Sequence, residues 1–229
     1  MTNAPKAVLW DFDGTLIDSE PIWAQGEQAV MHRLGFSWDN AHDASFVGQS
    51  MEATARRMAS AAGDEELWPK LVDEVELYVA DRLREALPWI DGARELLEEV
   101  ASRGVRMAVV TASSNRILDA ARPHLERHVD AIVTSNDVTN VKPHPEAYQT
   151  AMVRLGVGAA ECIVVEDSVP GVASGLAAEA VVYAVPAPVV ELAPHPRVRV
   201  CRARLTATTW EDLVGAWREL SVVPRDRAY

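Results

Sequence analysis

The chain has 229 residues, enough for one large domain or a medium domain carrying a smaller one. With 48% hydrophobic and 24% charged residues it has the composition of a globular protein that needs no disulfide or metal to hold its core. A formal net charge of −12 excludes nonspecific binding to nucleic acid or to an anionic membrane, both of which require a basic face, and any anionic ligand would need positive charge concentrated locally.

Six short β-rich runs recur along the chain: Ala7–Asp13, Arg106–Ala112, Asp130–Ser135, Cys162–Asp167, Ala180–Val185 and Val198–Leu205. Most are continuously apolar, as strands covered on both faces are, and helical patterns separate most of them. Alternation of that kind predicts an α/β fold with a parallel, doubly wound sheet, and right-handed crossovers would bring every strand's carboxyl end to one edge. Helices are predicted at Ala93–Arg103, with Gly104 as stop, and at Glu146–Leu155 between Pro145 and Gly156. A last helix, Trp210–Leu220, is capped by Thr209. Between Leu16 and Leu87 only helical patterns occur: Pro21–Leu34, Ser50–Ala62 and Glu65–Ala86. The expected organisation is therefore an α/β core of residues 1–15 and 88–229, with a helical cap of residues 16–87 inserted after the first strand.

Cys162 and Cys201 form no CxxC pair or zinc spacing and read as reduced core residues. No apolar run approaches the roughly 20 residues that cross a bilayer, and no signal-peptide h-region precedes the first strand. The expected location is cytoplasmic. In the absence of heptads or a broad apolar stripe, the expected state is a monomer.

Four strand ends carry chemistry. Ala7–Thr15 runs from a buried strand into Asp11 and Asp13, which share a side of an extended chain, and Gly14 allows a sharp turn beside them. An acidic turn after a strand is the plain alternative. Ile163–Ser168 ends a second apolar strand in Glu166 and Asp167. Ligands in open α/β sheets bind beyond such ends, at a switch point. Four carboxylates gathered there would repel by about 4 kcal/mol per pair at 4 Å, so a cation or proton is required, and carboxylate oxygens suit magnesium rather than zinc. Lys142, kept extended by Pro143, is a cation able to reach the cluster, or else a solvated loop lysine. Met107–Asn115 ends a strand in Thr111, Ala112, Ser113 and Ser114 directly before a helix, an arrangement that binds anions or simply caps the helix.

In this order the four segments resemble the haloacid dehalogenase-like hydrolase superfamily, in its β-phosphoglucomutase-like and sugar-phosphate phosphatase branch. Asp18-Ser19-Glu20-Pro21, Lys142-Pro143 and Glu166-Asp167-Ser168 with Gly171 carry the branch-level likeness. The resemblance implies a Rossmann-like core and a magnesium-dependent phosphatase of a small phosphorylated metabolite, with hexose or hexitol phosphates first in rank. Asp11 would be the nucleophile and Asp13 the acid–base. Thr111 and Lys142 would bind the transferring phosphoryl group. Asp11, Asp13 through its backbone carbonyl, Glu166 as ligand or support, and Asp167 would form the Mg²⁺ site. Gly14, Ala112, Ser113, Asn115 and the cap residues Trp23, Gln49 and Ser50 would meet the substrate. The aspartate at position 13 argues against dehalogenation, in which no leaving alkoxide needs a proton. The mutase alternative expects an arginine where Met51 stands and a histidine where Trp23 stands. Ser113 and Asn115 match its contacts to a distal phosphate. A non-catalytic scaffold is disfavoured, because every expected polar group is present.

Overall fold

The computed structural model describes residues 4–39 and 50–224. Six strands, β1 (Ala7–Trp10), β2 (Arg106–Val110), β3 (Ala131–Val133), β4 (Cys162–Glu166), β5 (Val181–Ala184) and β6 (Val198–Val200), form one sheet in the order β3-β2-β1-β4-β5-β6. Every pairing is parallel. All six predicted strands are present, each shorter than its apolar run, because pairing ends where the chain turns into the loops of the carboxyl edge.

β1 and β4 are buried along their whole length. Helices covering both faces explain why neither strand alternates in polarity. Val8 and Trp10 face one apolar cluster, and Ala7 and Leu9 face the other. Each fully buried aliphatic side chain in these layers stabilises the fold by about 1.5–3 kcal/mol. From β1 the chain winds outward through β2 and β3 on one side. β4, β5 and β6 lie on the other, so the strand order reverses between β1 and β4.

The helices are α1 (Glu20–Arg33), α2 (Met51–Ala62), α3 (Trp68–Glu85), α4 (Ala93–Ser102), α5 (Asn115–Leu125), α6 (Glu146–Leu155), α7 (Val169–Ala177) and α8 (Trp210–Ser221). Their ends follow the predicted punctuation. Ser50 caps α2 by accepting from the Ala53 N–H at 3.2 Å, and Gly63 closes that helix in the left-handed conformation. Thr209 and Asp212 cap α8 reciprocally. The single helix expected over Glu65–Ala86 is instead a short 3₁₀ turn, Glu65–Leu67, followed by α3. Pro69 lacks an N–H and is tolerated only in a first helical turn, so the regular helix starts at Trp68.

Between β1 and β2 the described chain is helical. It leaves and returns side by side: the Asp18 N–H donates to Pro88 O at 2.8 Å and the Ile90 N–H donates to Leu16 O at 3.0 Å. Helix α3 packs on α5, where the Arg116 guanidinium donates to Asp73 O at 2.9 Å and to Asp73 Oδ1 at 3.1 Å. No helix among the described residues is long and apolar enough to cross a membrane.

Candidate active site

The reversal of strand order puts the ends of β1 and β4 side by side, with β2 flanking β1. Asp11 directly follows β1, and its N–H donates to Val165 O at 2.9 Å, so its side chain leaves the sheet level with Glu166 and Asp167. Beyond it the chain folds back sharply: Leu16 and Ile17 N–H both donate to Phe12 O, and the Gly14 N–H donates to Ile17 O. Gly14 adopts a φ of +86°, and a Cβ there would lie 2.2 Å from Asp167 Oδ2. The turn needs glycine both for its backbone and for the close approach of that carboxylate.

Lys142 crosses from the loop before α6 into the acidic cluster, and the Lys142–Pro143 peptide is cis. Its ammonium donates to Asp11 Oδ1 at 2.7 Å, to Glu166 Oε1 at 2.7 Å and to Val110 O at 2.8 Å, using all three of its protons. Burial works to lower its pKa, but Asp11 and Glu166 outweigh burial and hold the ammonium well above the ordinary lysine value. Lys142 is therefore a permanent buried cation and not a solvated loop residue.

Glu166 is fully buried and fully engaged. Its Oε1 accepts from Lys142 and from Tyr148 Oη at 3.0 Å. Its Oε2 accepts from the N–H groups of Asp167 and Ser168 and from Ser168 Oγ. Asp11 is different. Its Oδ2 is buried and has no hydrogen-bond partner among the described residues. Burial first, then the nearby Glu166 charge, push the Asp11 carboxyl up to about 7 against the pull of Lys142. Asp167 is raised well above the usual carboxylate range by burial, then by Asp11 and Glu166, with Lys142 and Arg204 opposing.

Oxygens of Asp11, Glu166 and Asp167 lie within 4.8 Å of one another. An unpartnered buried carboxylate oxygen in an all-oxygen donor set fits a hard divalent cation. The saturated hydrogen bonding of Glu166 makes it a support for Lys142 and for the Asp167 backbone, and leaves Asp11 and Asp167 the freer donors.

Asp13 sits across the turn, held by three hydroxyls: Ser19 Oγ donates to Oδ1 at 2.6 Å, and Ser113 Oγ (2.7 Å) and Thr111 Oγ1 (3.1 Å) donate to Oδ2. The Ser113 N–H in turn donates to Thr111 Oγ1 at 2.9 Å. The structure thus gathers Asp11, Asp13, Gly14, Thr111, Ser113, Lys142, Glu166 and Asp167 at one point. Asn115 is directed elsewhere, its Oδ1 accepting from Thr134 Oγ1 at 2.7 Å and its N–H donating to Asn136. Ala112 is exposed at the strand end. Ser50 serves as the α2 cap. Trp23 and Met51 are partly buried against the apolar core, and Gln49 lies outside the described residues.

Sequence reasoning missed Tyr148, which reads as one more apolar position on the buried face of α6, and Arg204, which carries no motif. It also did not see why Gly171 is glycine. A Cβ there would lie 1.7 Å from Glu166 Oε1. Gly171→Ala is expected to destabilise the protein by about 2–3 kcal/mol in urea denaturation, as overpacking at a filled site does, and to lower activity by displacing the carboxylate that holds Lys142. Wild-type stability and activity in that variant would show that Glu166 has room to move.

A parallel sheet with an acidic, lysine-bearing cluster at its switch point defines a Rossmann-like α/β protein whose sheet edge gathers carboxylate oxygens around one buried ammonium. The chain belongs to the haloacid dehalogenase-like hydrolases, whose family model matches residues 8–185. It is 35% identical over 170 residues to the validoxylamine A 7'-phosphate phosphatase of Streptomyces hygroscopicus subsp. limoneus, covering 73% of this chain and 79% of that one. It is 29% identical over 225 residues to hexitol phosphatase B of Escherichia coli O157:H7, covering 91% and 96%. Among solved structures, the β-phosphoglucomutase of Clostridium difficile shares the fold with a TM-score of 0.77 at 20% identity, over 96% of this chain and all of that one.

Proposed function

We propose that this protein is a magnesium-dependent phosphatase of small sugar or sugar-alcohol phosphomonoesters, working through a phosphorylated Asp11. The observation that carries this reading is the asymmetry of the Asp11 carboxylate, with one oxygen clamped by Lys142 and the other buried and unpartnered. Such a group is oriented, partly desolvated and lacks a second partner, as an in-line nucleophile requires.

An Asp11 oxygen attacks phosphorus as the ester P–O bond breaks, and Asp13 gives its proton to the departing alkoxide. Asp13 then takes a proton from water, whose oxygen attacks phosphorus and releases inorganic phosphate, restoring the Asp11 carboxylate. Lys142 keeps Asp11 in place and, with Thr111, stabilises the transferring phosphoryl oxygens. Thr111 and Ser113 exchange their bonds to Asp13 for bonds to substrate. Asp11, Asp167 and the backbone carbonyl of Asp13 are assigned to magnesium, with Glu166 in support. When bound, the ion would neutralise both phosphate and carboxylate charge. This local cation answers how an acidic protein takes an anionic substrate.

Residues 16–87 are assigned as a cap over a core of 1–15 and 88–229, hinged at Leu16–Asp18 and Leu87–Pro88, where the two crossing chains run side by side. Cap closure would exclude water during transfer and admit it afterwards. Trp23 and Gln49 are the cap residues assigned to the alcohol half of the substrate. Met51, partly buried against the core, offers no charge for a second phosphate, and this favours hydrolysis over mutase chemistry. Similarity to a validoxylamine A 7'-phosphate phosphatase and to a hexitol phosphatase supports the polyol class.

The test is phosphate release from a panel of phosphomonoesters with magnesium and with EDTA. Hexose and hexitol phosphates are expected to turn over fastest, with rates falling about 100-fold or more when the metal is removed. No release from any ester by folded protein would overturn the reading. Interconversion of sugar 1- and 6-phosphates with a bisphosphate primer would replace it with the mutase.

A further inference from the structure

The loop from Cys201 to Thr208, between β6 and α8, reaches back to the candidate site from a part of the chain that carries no motif. Its shape is tightly determined. The Arg204 N–H donates to Cys201 O at 3.2 Å, and Thr208 donates twice, from its N–H to Leu205 O at 3.1 Å and from its Oγ1 to Arg204 O at 2.8 Å. Leu205 is buried in the core, and its carbonyl presses on Gly92, where a Cβ would lie 2.3 Å away. The loop is therefore wedged against the segment that returns the chain from the helical insertion.

Within this frame Arg204 adopts a φ of +55°, a conformation that non-glycine residues rarely hold unless their surroundings impose it. That backbone aims its guanidinium at the turn after β1, where Nη2 donates to Gly14 O. Its Nε is buried and has no partner among the described residues. The Gly14 peptide directly follows Asp13 and lies against Asp167. A single guanidinium thus ties a C-terminal loop to the one turn on which the acid–base residue and a proposed metal ligand both depend.

We propose that Arg204 is a positioning residue for the reaction, holding the Gly14 carbonyl so that Asp13 and Asp167 keep their places through the catalytic cycle. The inference rests on the phosphatase reading for its kinetic consequence, though not for its structural one. Arg204 touches neither Asp11 nor the phosphoryl-binding groups Thr111 and Lys142 by any hydrogen bond described above. Its removal should therefore slow turnover without abolishing it and should leave substrate affinity nearly unchanged.

Arg204→Gly is the informative variant, because glycine accepts the positive φ without strain and the loop keeps its fold. Its kcat is expected to fall about tenfold with KM within about threefold of wild type, while its melting temperature is unchanged or higher. In hydrogen–deuterium exchange, amides of residues 12–17 should exchange faster in Arg204→Gly, while those of α8 should not. Arg204→Lys, which keeps the charge and an N–H donor but not the planar guanidinium, should recover part of the lost kcat. Wild-type kcat and unchanged exchange at residues 12–17 in Arg204→Gly would overturn the proposal. If the wild type releases no phosphate, the phosphatase reading fails by itself and the exchange measurement alone decides the role of Arg204.

Discussion

Asp11→Asn is expected to abolish phosphate release and, measured in EDTA at pH 8, to make the protein harder to unfold. The kinetic loss should be about 10⁴-fold or more, because the amide is a poor nucleophile. The gain in stability has a separate cause. Burial and Glu166 push the Asp11 carboxyl up to about 7, so the ionised form is less favourable in the folded protein than in the unfolded chain. That cost is absent below the unfolded value, near 4, and grows as pH rises through about 7. The stability advantage of asparagine should accordingly be largest at pH 8 and vanish toward pH 4. Lys142 keeps Glu166 and Val110 O as partners in the variant, so it is not orphaned. Thermal melts across pH check the sign. An Asp11→Asn protein that is less stable than wild type at pH 8 would show that the Lys142–Asp11 pair outweighs burial.

Lys142→Met is expected to have the opposite effect on folding and an equally severe effect on activity. Methionine preserves much of the apolar stem but removes the charge between Asp11 and Glu166, both of which are buried. Breaking a buried ion pair by deleting one partner costs about 3–5 kcal/mol, much more than an exposed pair contributes, because a charge is left uncompensated. The loss should be greatest at pH 8. Asp11 already titrates near neutrality, and without the ammonium its carboxyl moves higher still. Acidification should therefore restore part of the stability as the carboxyl takes up a proton. Turnover should fall by about 10³-fold or more, since both the orientation of Asp11 and the charge facing the phosphoryl group are lost. Chemical denaturation at pH 5.5 and pH 8 measures the first effect. Equal stability of variant and wild type at pH 8 would mean that water or a conformational shift already shields the pair.

The candidate carboxylates were legible because they sit where a strand stops. A run of apolar residues covered on both faces has nowhere to put a charge until it leaves the sheet, so Asp11 and the Glu166-Asp167 pair mark strand ends as plainly as they mark a site. The two segments that supply Lys142 and the Thr111–Ser113 pair could be read the same way, but their partners could not. Thr111 and Ser113 were expected to meet a phosphate, and in the structure they hold Asp13. Glu166 and Asp167 were read as similar carboxylates. Tertiary contacts separate them into a saturated support, with five donors around it, and a freer group beside the Gly14 turn.

Helix α7 shows the limit most clearly. Its sequence, Val-Pro-Gly-Val-Ala-Ser-Gly-Leu-Ala, carries two glycines that lower helix propensity and was not predicted as a helix. Both glycines answer to neighbours outside the helix: Gly171 makes room for Glu166, and Gly175 lets the helix lie against Val164 and Val182, where a Cβ would already be at 3.1–3.3 Å. Local propensity yields there to close approach.

Alone, the sequence determined the parallel sheet, the helical insertion and the identity of the charged groups, because burial on both faces and the 3.6-residue period leave their mark on neighbouring positions. Only the tertiary structure decided which carboxylate is clamped and which is free, why Tyr148 and Gly171 matter, and that Arg204 reaches Gly14 across 190 positions of chain. Those facts depend on distances between segments that share no local pattern. They are set when the strand order reverses between β1 and β4 and packing brings the loops together.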